Sequence, residues 1–282
     1  MKQADNKNSA VSAVKTAFMY AALIIMAVIM LIPFAWMLSA SLKFEKDVFS
    51  FPIVWIPPVP QWGNYAEIWK KVPLLTGFFN TTKLTVCTTV LQLVTSSFAA
   101  YAFAKLSFKG RDTIFMMYVM TISIPWQVYM VPQYKMMTLF GLTDSHLGII
   151  LMHAFTAMGV FLMRQFFGDL PIELAESAKI DGCTPWGIFT KIYLPLSKPS
   201  VATLSIFIFI ATWNDFLKPL IYLSDSKKNT LTLGIYLMQG TYSTNWPVLM
   251  ATCTLSLLPA LILFLCMQDL FVEGIAMSGI KG

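Results

Sequence analysis

The chain has 282 residues, room for one or two soluble domains. However, 57% of them are hydrophobic and only 12% charged, about half the charged share of a soluble domain. With a mean hydropathy of +0.67, this composition excludes a soluble globular fold and intrinsic disorder, and four Cys in so long a chain exclude a disulfide scaffold. The class is integral membrane protein, and the net charge of +6 then reflects basic cytoplasmic loops rather than nucleic-acid binding.

The opening segment, MKQADNKNSAVSAVK, is polar and mildly basic. The apolar run behind it is too long for a signal-peptide core and has no convincing cleavage site, so it reads as an uncleaved first span. Six spans of about 20 mostly apolar residues are predicted. The first is Phe18 to Leu42, with a kink expected at Pro33. The second is about Lys83 to Ala104, rich in Thr, Ser and Ala. The third is Thr113 to Tyr134, interrupted by Pro125, and the fourth is Leu147 to Met163. The fifth runs from near Val201 to near Leu223, and the sixth is about Val248 to Leu270, with Pro259 inside. The expected fold class is therefore all-α, a polytopic membrane protein with six transmembrane helices and both termini on one side.

Basic residues choose the side. The N-terminal segment, the 105–111 loop, the 164–198 loop and the C-terminus carry eleven Lys and Arg, against seven on the opposite loops. That bias places the termini in the cytoplasm. The expected organisation is a cytoplasmic segment 1–17, a six-span domain 18–271 that includes a cytoplasmic loop 168–200, and a cytoplasmic tail 272–282. The outer loop 43–78 contains FPIVWIPPVPQWGNYAEIW, whose Pro and Trp suit a compact segment near the headgroups. The outer loop 224–247 contains LTLGIYLMQG, either a short re-entrant or interfacial helix or a stretch packed against other spans.

Cysteine and histidine offer no chemistry of their own. Cys87, Cys253 and Cys266 lie in apolar runs and Cys183 in a loop, with no CxxC pair. His146 at a loop and His153 in the fourth span form no metal-ligand cluster with them, and packing is the expected role. No GxxxxGK[ST] occurs anywhere, so ATP, if it drives this protein, binds a separate subunit.

The loop between spans four and five, GDLPIELAESAKIDGCTPWGIFTKIYLPLSKPS, is the most informative segment. Asp169 is a suitable helix cap and Pro171 a suitable first-turn residue. Glu173 and Glu176 stand at the N-terminal end, where negative charge is favoured. A short amphipathic helix is predicted from Ile172 to Ile180, ended by Gly182 in the left-handed conformation. Thr184 and Pro185 restart a second helix, Trp186 to about Tyr193, which Pro195 and Pro199 end. Leu174, Ala175, Ala178, Phe189 and Ile192 are positioned to enter a groove on a soluble partner, with Glu176 meeting a basic group at its rim. The alternative is a hairpin packed on the protein's own spans.

Within the spans, ionisable residues are functional candidates by default. Asp215 and Lys218, three apart, can pair on one helix face, as a structural ion pair or as part of a path. Gln127, Tyr129 and Asn214 lie near Pro-bent stretches, where irregular backbone can line a cavity. Trp126, Tyr129 and Trp213 offer the aromatic faces that sugars favour, or anchor the chain at a membrane boundary.

The same loop carries a resemblance. Glu176-Ser177-Ala178, Gly182 and Ile192-Tyr193-Leu194-Pro195 resemble the Glu-Ala-Ala, Gly, Ile-x-Leu-Pro signature of permease subunits of binding-protein-dependent ABC importers. Both spacings match, and Ser177 replaces the first Ala. Asp181 and Thr184-Pro185-Trp186 resemble the carbohydrate branch. So do Trp213-Asn214-Asp215-Phe216-Leu217 with Pro219-Leu220 (Asp215 standing where Glu is common), Ser39-Ala40-Ser41-Leu42-Lys43, Asn80-Thr81, and the ending Phe271 to Gly282. The chain is thus similar to the MalG-like permeases of maltose-type systems, and a type I ABC importer permease fold is expected.

The resemblance implies a permease forming half of the pathway of a sugar importer, with no catalytic residue, metal or cofactor of its own. ATP and Mg would sit on two ATP-binding subunits. A second, MalF-like permease, an extracytoplasmic sugar-binding protein and the lipid of the cytoplasmic or inner membrane would be the other partners. Glu176, Ser177, Ala178, Asp181, Gly182, Phe189, Leu194 and Pro195 would transmit ATPase motion. Gln127, Tyr129, Trp213, Asn214 and Asp215 are the candidates for the solute path. A permease for another solute, a secondary transporter, and a membrane enzyme are the rival readings. The last would need a nucleophile with a positioned base or a metal cluster, and neither is evident.

Overall fold

The computed structural model describes residues 2–71, 73–239 and 244–279, with side chains placed for 14–70, 73–239 and 244–269. Among these residues there is no strand. In chain order the helices are α1 (Lys2–Ser41), α2 (Gly63–Lys71), α3 (Leu74–Lys105), α4 (Arg111–Met120), α5 (Trp126–Leu139), α6 (His146–Met152) and α7 (Ala157–Asp169). There follow α8 (Glu173–Ile180), α9 (Pro185–Ile188), a π-helical turn Phe189–Tyr193, α10 (Leu194–Leu196), α11 (Lys198–Trp213), α12 (Leu217–Tyr222), α13 (Leu231–Leu237) and α14 (Trp246–Gly279).

Three stretches are long and apolar enough to cross a membrane alone: Val14–Ser41 of α1, the whole of α3, and Trp246–Asp269 of α14. Three bent pairs qualify together: Arg111–Ser123 with α5, bent by 100°; α6 with α7, by 48°; and Pro185–Leu196 with α11, by 74°. Each expected span overlaps one of these stretches, three as single helices and three only as bent pairs. α1 and α14 are continuous helices with Pro33 and Pro259 inside, as expected for the sixth span. The second span starts at Leu74, nine residues early, and its first turns bond the 227–231 segment through Asn80 and Thr81. The fifth is broken at 214–216, between α11 and α12. α14 continues helical to Gly279, through most of the segment expected as a tail; residues 280–282 lie outside the described residues.

The chain divides into two compact units. The first comprises Met1–Lys71 and Met238–Leu255. Here the Pro- and Trp-rich segment folds back on the end of α1. Asn64 Nδ2 donates to the carbonyls of Ser41 and Lys43 at 2.8 and 3.0 Å, and Tyr65 Oη pairs with Ser41 Oγ at 2.8 Å. These bonds satisfy carbonyls that the helix end leaves open. The Phe49 ring sits edge-on against Trp246, 5.2 Å between centroids.

The second unit comprises Val72–Leu237 and Ser256–Gly282, and α3 is its spine. α3 buries a row of small polar residues, Thr81, Thr85, Thr88, Gln92, Ser96 and Ser97, where α7 and α11 pack against it. Small residues allow the close backbone approach that holds helices together in lipid. At Gly159 of α7 a Cβ would stand 2.5 Å from Ser96 Oγ and 2.6 Å from Thr156 Cγ2. Gly159→Leu is therefore expected to pry α7 from α3 at an overpacking cost of about 1–3 kcal/mol, read as a lowered thermal midpoint of the detergent-purified chain.

Two separate hydrophobic cores lie along α3. One gathers Ala100, Phe115, Val160, Met163, Phe167, Ala175, Ala178, Ile188, Phe189, Tyr193, Leu204 and Ile208. It joins α4, α7 and α11 to the loop that carries α8 and α9, and its end of the unit is here the loop side. The other gathers Leu84, Ile149, Tyr222 and Leu223, with Trp126, Met137 and Ile221 against them. It joins α5, α6 and α12 at the far side. α13, from the apolar stretch of the 224–247 loop, packs on α3; Leu231 and Leu233 are buried, and the Leu231 N–H donates to Thr81 Oγ1 at 2.8 Å.

Candidate functional site

The loop between α7 and α11 is a helix–turn–helix held on an aromatic platform. Its first helix, α8, matches the expected span to one residue. Its start differs: Asp169 closes α7 instead of capping α8, and the linker 170–172 lies between. The Leu170 carbonyl accepts from Lys105 Nζ at 2.8 Å, which ties the linker to the end of α3. α8 ends in a Schellman motif. Cys183 N donates to Ala178 O at 2.9 Å and Gly182 N to Lys179 O at 3.0 Å, with Gly182 at φ +80°. Thr184 Oγ1 then accepts from Gly187 N at 3.2 Å and caps α9, as its Thr-Pro sequence predicts.

Beyond α9 the expected plain helix is not seen. Phe189–Tyr193 form a π turn, and the chain stays helical through Pro195, which does not stop it. Pro195 has no N–H to donate and its ring would press on the carbonyl one turn back. The wider π turn immediately before it relieves that conflict.

α8 divides its residues by face. Ala175 and Ala178, three apart, are buried in the loop-side core, and Phe189 from the π turn is buried with them. Of the two readings left open for these three, a partner's groove or the protein's own spans, their burial fits the second, and Ile192 is half-buried beside them. The residues left outward are Glu173, Leu174, Glu176, Ser177, Lys179, Ile180, Asp181 and Gly182. Ile180 is 87% exposed, and Trp186 on α9 is 60% exposed. Of the other two candidate coupling residues, Leu194 is half-buried and Pro195 exposed.

The sequence reading missed what supports this loop. Phe98, Tyr101 and Lys105 project from one face of α3. Phe98 stacks on Trp186 at 5.5 Å between centroids, and Tyr101 meets Phe189 at 5.0 Å and Tyr193 at 5.5 Å. Tyr101 Oη donates to Pro185 O at 3.3 Å, and Lys105 Nζ lies 5.1 Å over the Tyr193 ring. Their spacing of three and four residues is that of one helix face, the signal that could have found them. The platform thus ties α9, the π turn and the linker before α8 to α3, and α8 shares the same core through Ala175 and Ala178.

The far side is clamped by a different set. Asp144 Oδ1 accepts from the backbone N–H groups of Ser224 and Asp225 at 2.9 and 3.0 Å, and Lys228 Nζ donates to Asp144 Oδ2 at 2.6 Å. His146 Nε2 is 2.8 Å from Lys228 O, and Asn80 Nδ2 donates to the carbonyls of Lys227 and Asn229 at 2.9 Å. The Lys228 ammonium and the two backbone donors hold the Asp144 carboxyl well below the usual carboxylate range. A depressed folded value stabilises the fold above the unfolded value of about 3.9, and the contribution is lost as pH falls toward the folded one. Asp144→Ala is expected to free the 224–230 loop, raising its protease sensitivity at neutral pH to what the wild type shows only in acid.

Inside the second unit, at the breaks between helices, lies the remaining polar group. Asp215 sits in the 214–216 break rather than on a helix face. Its Oδ2 is 3.3 Å from Lys218 Nζ, the predicted pair, and also 3.3 Å from Nε2 of His153, a partner that sequence spacing did not reveal. The His153 contact is within ion-pair range but too poorly aligned for a hydrogen bond.

The other solute-path candidates are not drawn together around this group. Trp213 is 4% exposed, and its indole N–H donates to Ser256 O at 3.1 Å. Asn214 Nδ2 closes α11 by donating to Ile210 O at 2.9 Å. Gln127 and Tyr129 stand exposed on α5. Cys183 is partly buried against the loop-side core, and Cys87 and Cys266 are exposed within their spans.

Comparison with known proteins gives a consistent picture. The family described as binding-protein-dependent transport system inner membrane component matches residues 92–276. The chain is 33% identical over 254 residues to the sulfoquinovosyl glycerol transport system permease protein SmoH of Agrobacterium fabrum, covering 89% of each. It is 36% identical over 227 residues to the arabinooligosaccharides transport system permease protein AraQ of Bacillus subtilis, covering 80% of this chain and 81% of that protein. Among solved structures, a chain of a bacterial ABC transporter involved in import of the acidic polysaccharide alginate shares the fold. The TM-score is 0.80 at 24% identity, covering 89% of this chain and 94% of the other.

Proposed function

We infer, since the chain belongs to the family of binding-protein-dependent transport system inner membrane components, that it is a permease subunit of an ATP-driven sugar importer. The observation that carries the mechanism is the split face of α8. Its small Ala175 and Ala178 are buried in the loop-side core, while Leu174 is 40% and Ile180 87% exposed. A separate ATPase receives this outward face in a cleft, and Glu173 and Glu176 complement basic groups at the cleft's rim. Closure of two such ATPases moves α8, and the platform passes that motion rigidly into α3, α7 and α11. Ser177, Asp181 and Gly182 lie at the contact or shape it, Ala178, Phe189 and Leu194 fix the loop to the spans, and Pro195 shapes the turn between them.

In this reading the loop and both termini are cytoplasmic, in keeping with the basic-residue bias. The far side then faces the binding protein, and a second permease completes the pathway. ATP and Mg belong to the ATPase subunits. The named relatives that move glycosides and oligosaccharides favour a sugar or oligosaccharide as cargo. The test is uptake into proteoliposomes holding the complex, with ATP inside and a panel of sugars plus binding protein outside. ATP-dependent uptake of a sugar is expected. Uptake that needs an ion gradient and no ATP would make the protein a secondary transporter.

A further inference from the structure

The second unit places the breaks of three spans around one polar network. The third span breaks at Ile124–Pro125 and the fourth at 153–156 between α6 and α7, and α11, besides its bend at Ser197, is separated from α12 at 214–216. A break inside a membrane leaves backbone groups without helical partners, and an ionisable side chain there is costly unless paired. Here each break contributes a polar side chain to the same cluster. His153 is at the fourth-span break, Asp215 at the fifth with Lys218 one turn on, and Trp126 is the first residue of α5 after the third-span break.

Asp215 is the centre. One carboxylate oxygen lies 3.3 Å from both the His153 and Lys218 nitrogens, and the other accepts the Lys218 backbone N–H at 3.3 Å, so that Asp215 starts α12. The side chains of His153, Asp215 and Lys218 keep only 10, 12 and 22% of their surface exposed. Lys218 Nζ lies 5.3 Å over the Trp126 ring, within cation–π range. The Trp126 indole donates to Gln133 Oε1 at 2.7 Å, and Tyr222 Oη reaches the same oxygen at 3.4 Å. α5, α6 and α12 are thus tied to one another by polar contacts at the level of the breaks, by their own hydrophobic core, and by the Asp144 clamp beyond it. The loop-side core that holds α8 contains none of their residues.

We propose that Asp215, with His153 and Lys218, is a clasp that makes α5, α6 and α12 move as one body about the three breaks. Motion received by the loop-side core then shifts the whole far-side body and changes access to the pathway there. His153 and Asp215 are in this sense positioning residues of transport. The proposal rests on the importer reading, and it predicts a specific fault. Without the Asp215 charge the loop-side core still follows the ATPases while the far-side body no longer follows as a unit, so ATP is hydrolysed without transport.

The test uses the intact complex in proteoliposomes and measures uptake and ATP hydrolysis together. Asp215→Asn is expected to lower uptake by about tenfold or more while hydrolysis stays within about threefold of wild type. Asp215→Glu, which keeps the charge, is expected to recover at least about half of the uptake. His153→Gln is expected to show the same split, and the double variant to be no worse than Asp215→Asn alone, because both act through one contact. Asp215→Asn uptake within about twofold of wild type would overturn the proposal. So would a proportional fall of uptake and hydrolysis without recovery in Asp215→Glu, which marks a folding lesion. If Asp215→Asn does not reach the membrane, His153→Gln decides by the same criterion. A wild-type complex without ATP-driven uptake would instead overturn the importer reading beneath it.

Discussion

Replacing Gly182 with Val is expected to abolish solute uptake while leaving the chain in the membrane at the wild-type level. Gly182 sits at φ +80°, and its N–H and that of Cys183 close α8 in the Schellman motif. A left-handed residue other than Gly costs about 1–2 kcal/mol, and a β-branched one is worst placed to bear it. A Cβ at this position meets nothing within 4 Å, so the constraint is on backbone conformation and not on space. That distinction has a consequence: Asn, which tolerates the left-handed region, is expected to retain much of the uptake that Val loses. Immunoblots of the membrane fraction together with radiolabelled solute uptake separate the two. Equal activity of the Val variant and wild type would remove the α8 turn from the mechanism.

The second large effect is expected at Ile180. It is 87% exposed at the end of α8, where an unpartnered large apolar side chain on a polar helix face serves no internal packing. Burial of such a side chain in a partner's cleft is worth about 1.5–3 kcal/mol, or roughly tenfold to a hundredfold in affinity. Ile180→Glu replaces that gain with a charge to desolvate. The ATPase is therefore expected to fall away from the solubilised complex. The stability of the chain itself should change by no more than about 0.5 kcal/mol, as for other surface substitutions. The contrast with the neighbouring Ala175 and Ala178 follows from the structure, because those two side chains are already buried in the loop-side core.

Much of this was legible in the sequence because two kinds of signal are local. Apolar runs mark spans irrespective of what packs on them, so all six were placed. Turn chemistry is equally local: Gly182 and Thr184-Pro185 announced the stop of α8 and the start of α9. The Asp215–Lys218 pair followed from a spacing of three. What failed to show depends on contacts between distant residues. Nothing near His153 in the chain announces Asp215, 62 positions on. Between Val201 and Leu223, Asn214 and Pro219 mark irregular backbone, but not that the helix stops after Trp213. The faces of α8 stayed open for a related reason: Ala, Leu and Ile are equally acceptable at a groove or in a core, and only the core gathered from remote spans decides which face turns inward. Asp169 was read as a cap by its type, but α7 extends far enough to absorb it.

The most direct measurement is to tag this chain, solubilise the membranes gently, and identify what co-purifies with the wild type and with Ile180→Glu. A second multi-span permease and an ATPase carrying a GxxxxGK[ST] motif are expected with the wild type, and the variant is expected to keep the permease and lose the ATPase. A stable wild-type complex without any ATPase, or an ATPase retained equally by Ile180→Glu, would contradict the account of α8 as the element through which this permease is driven.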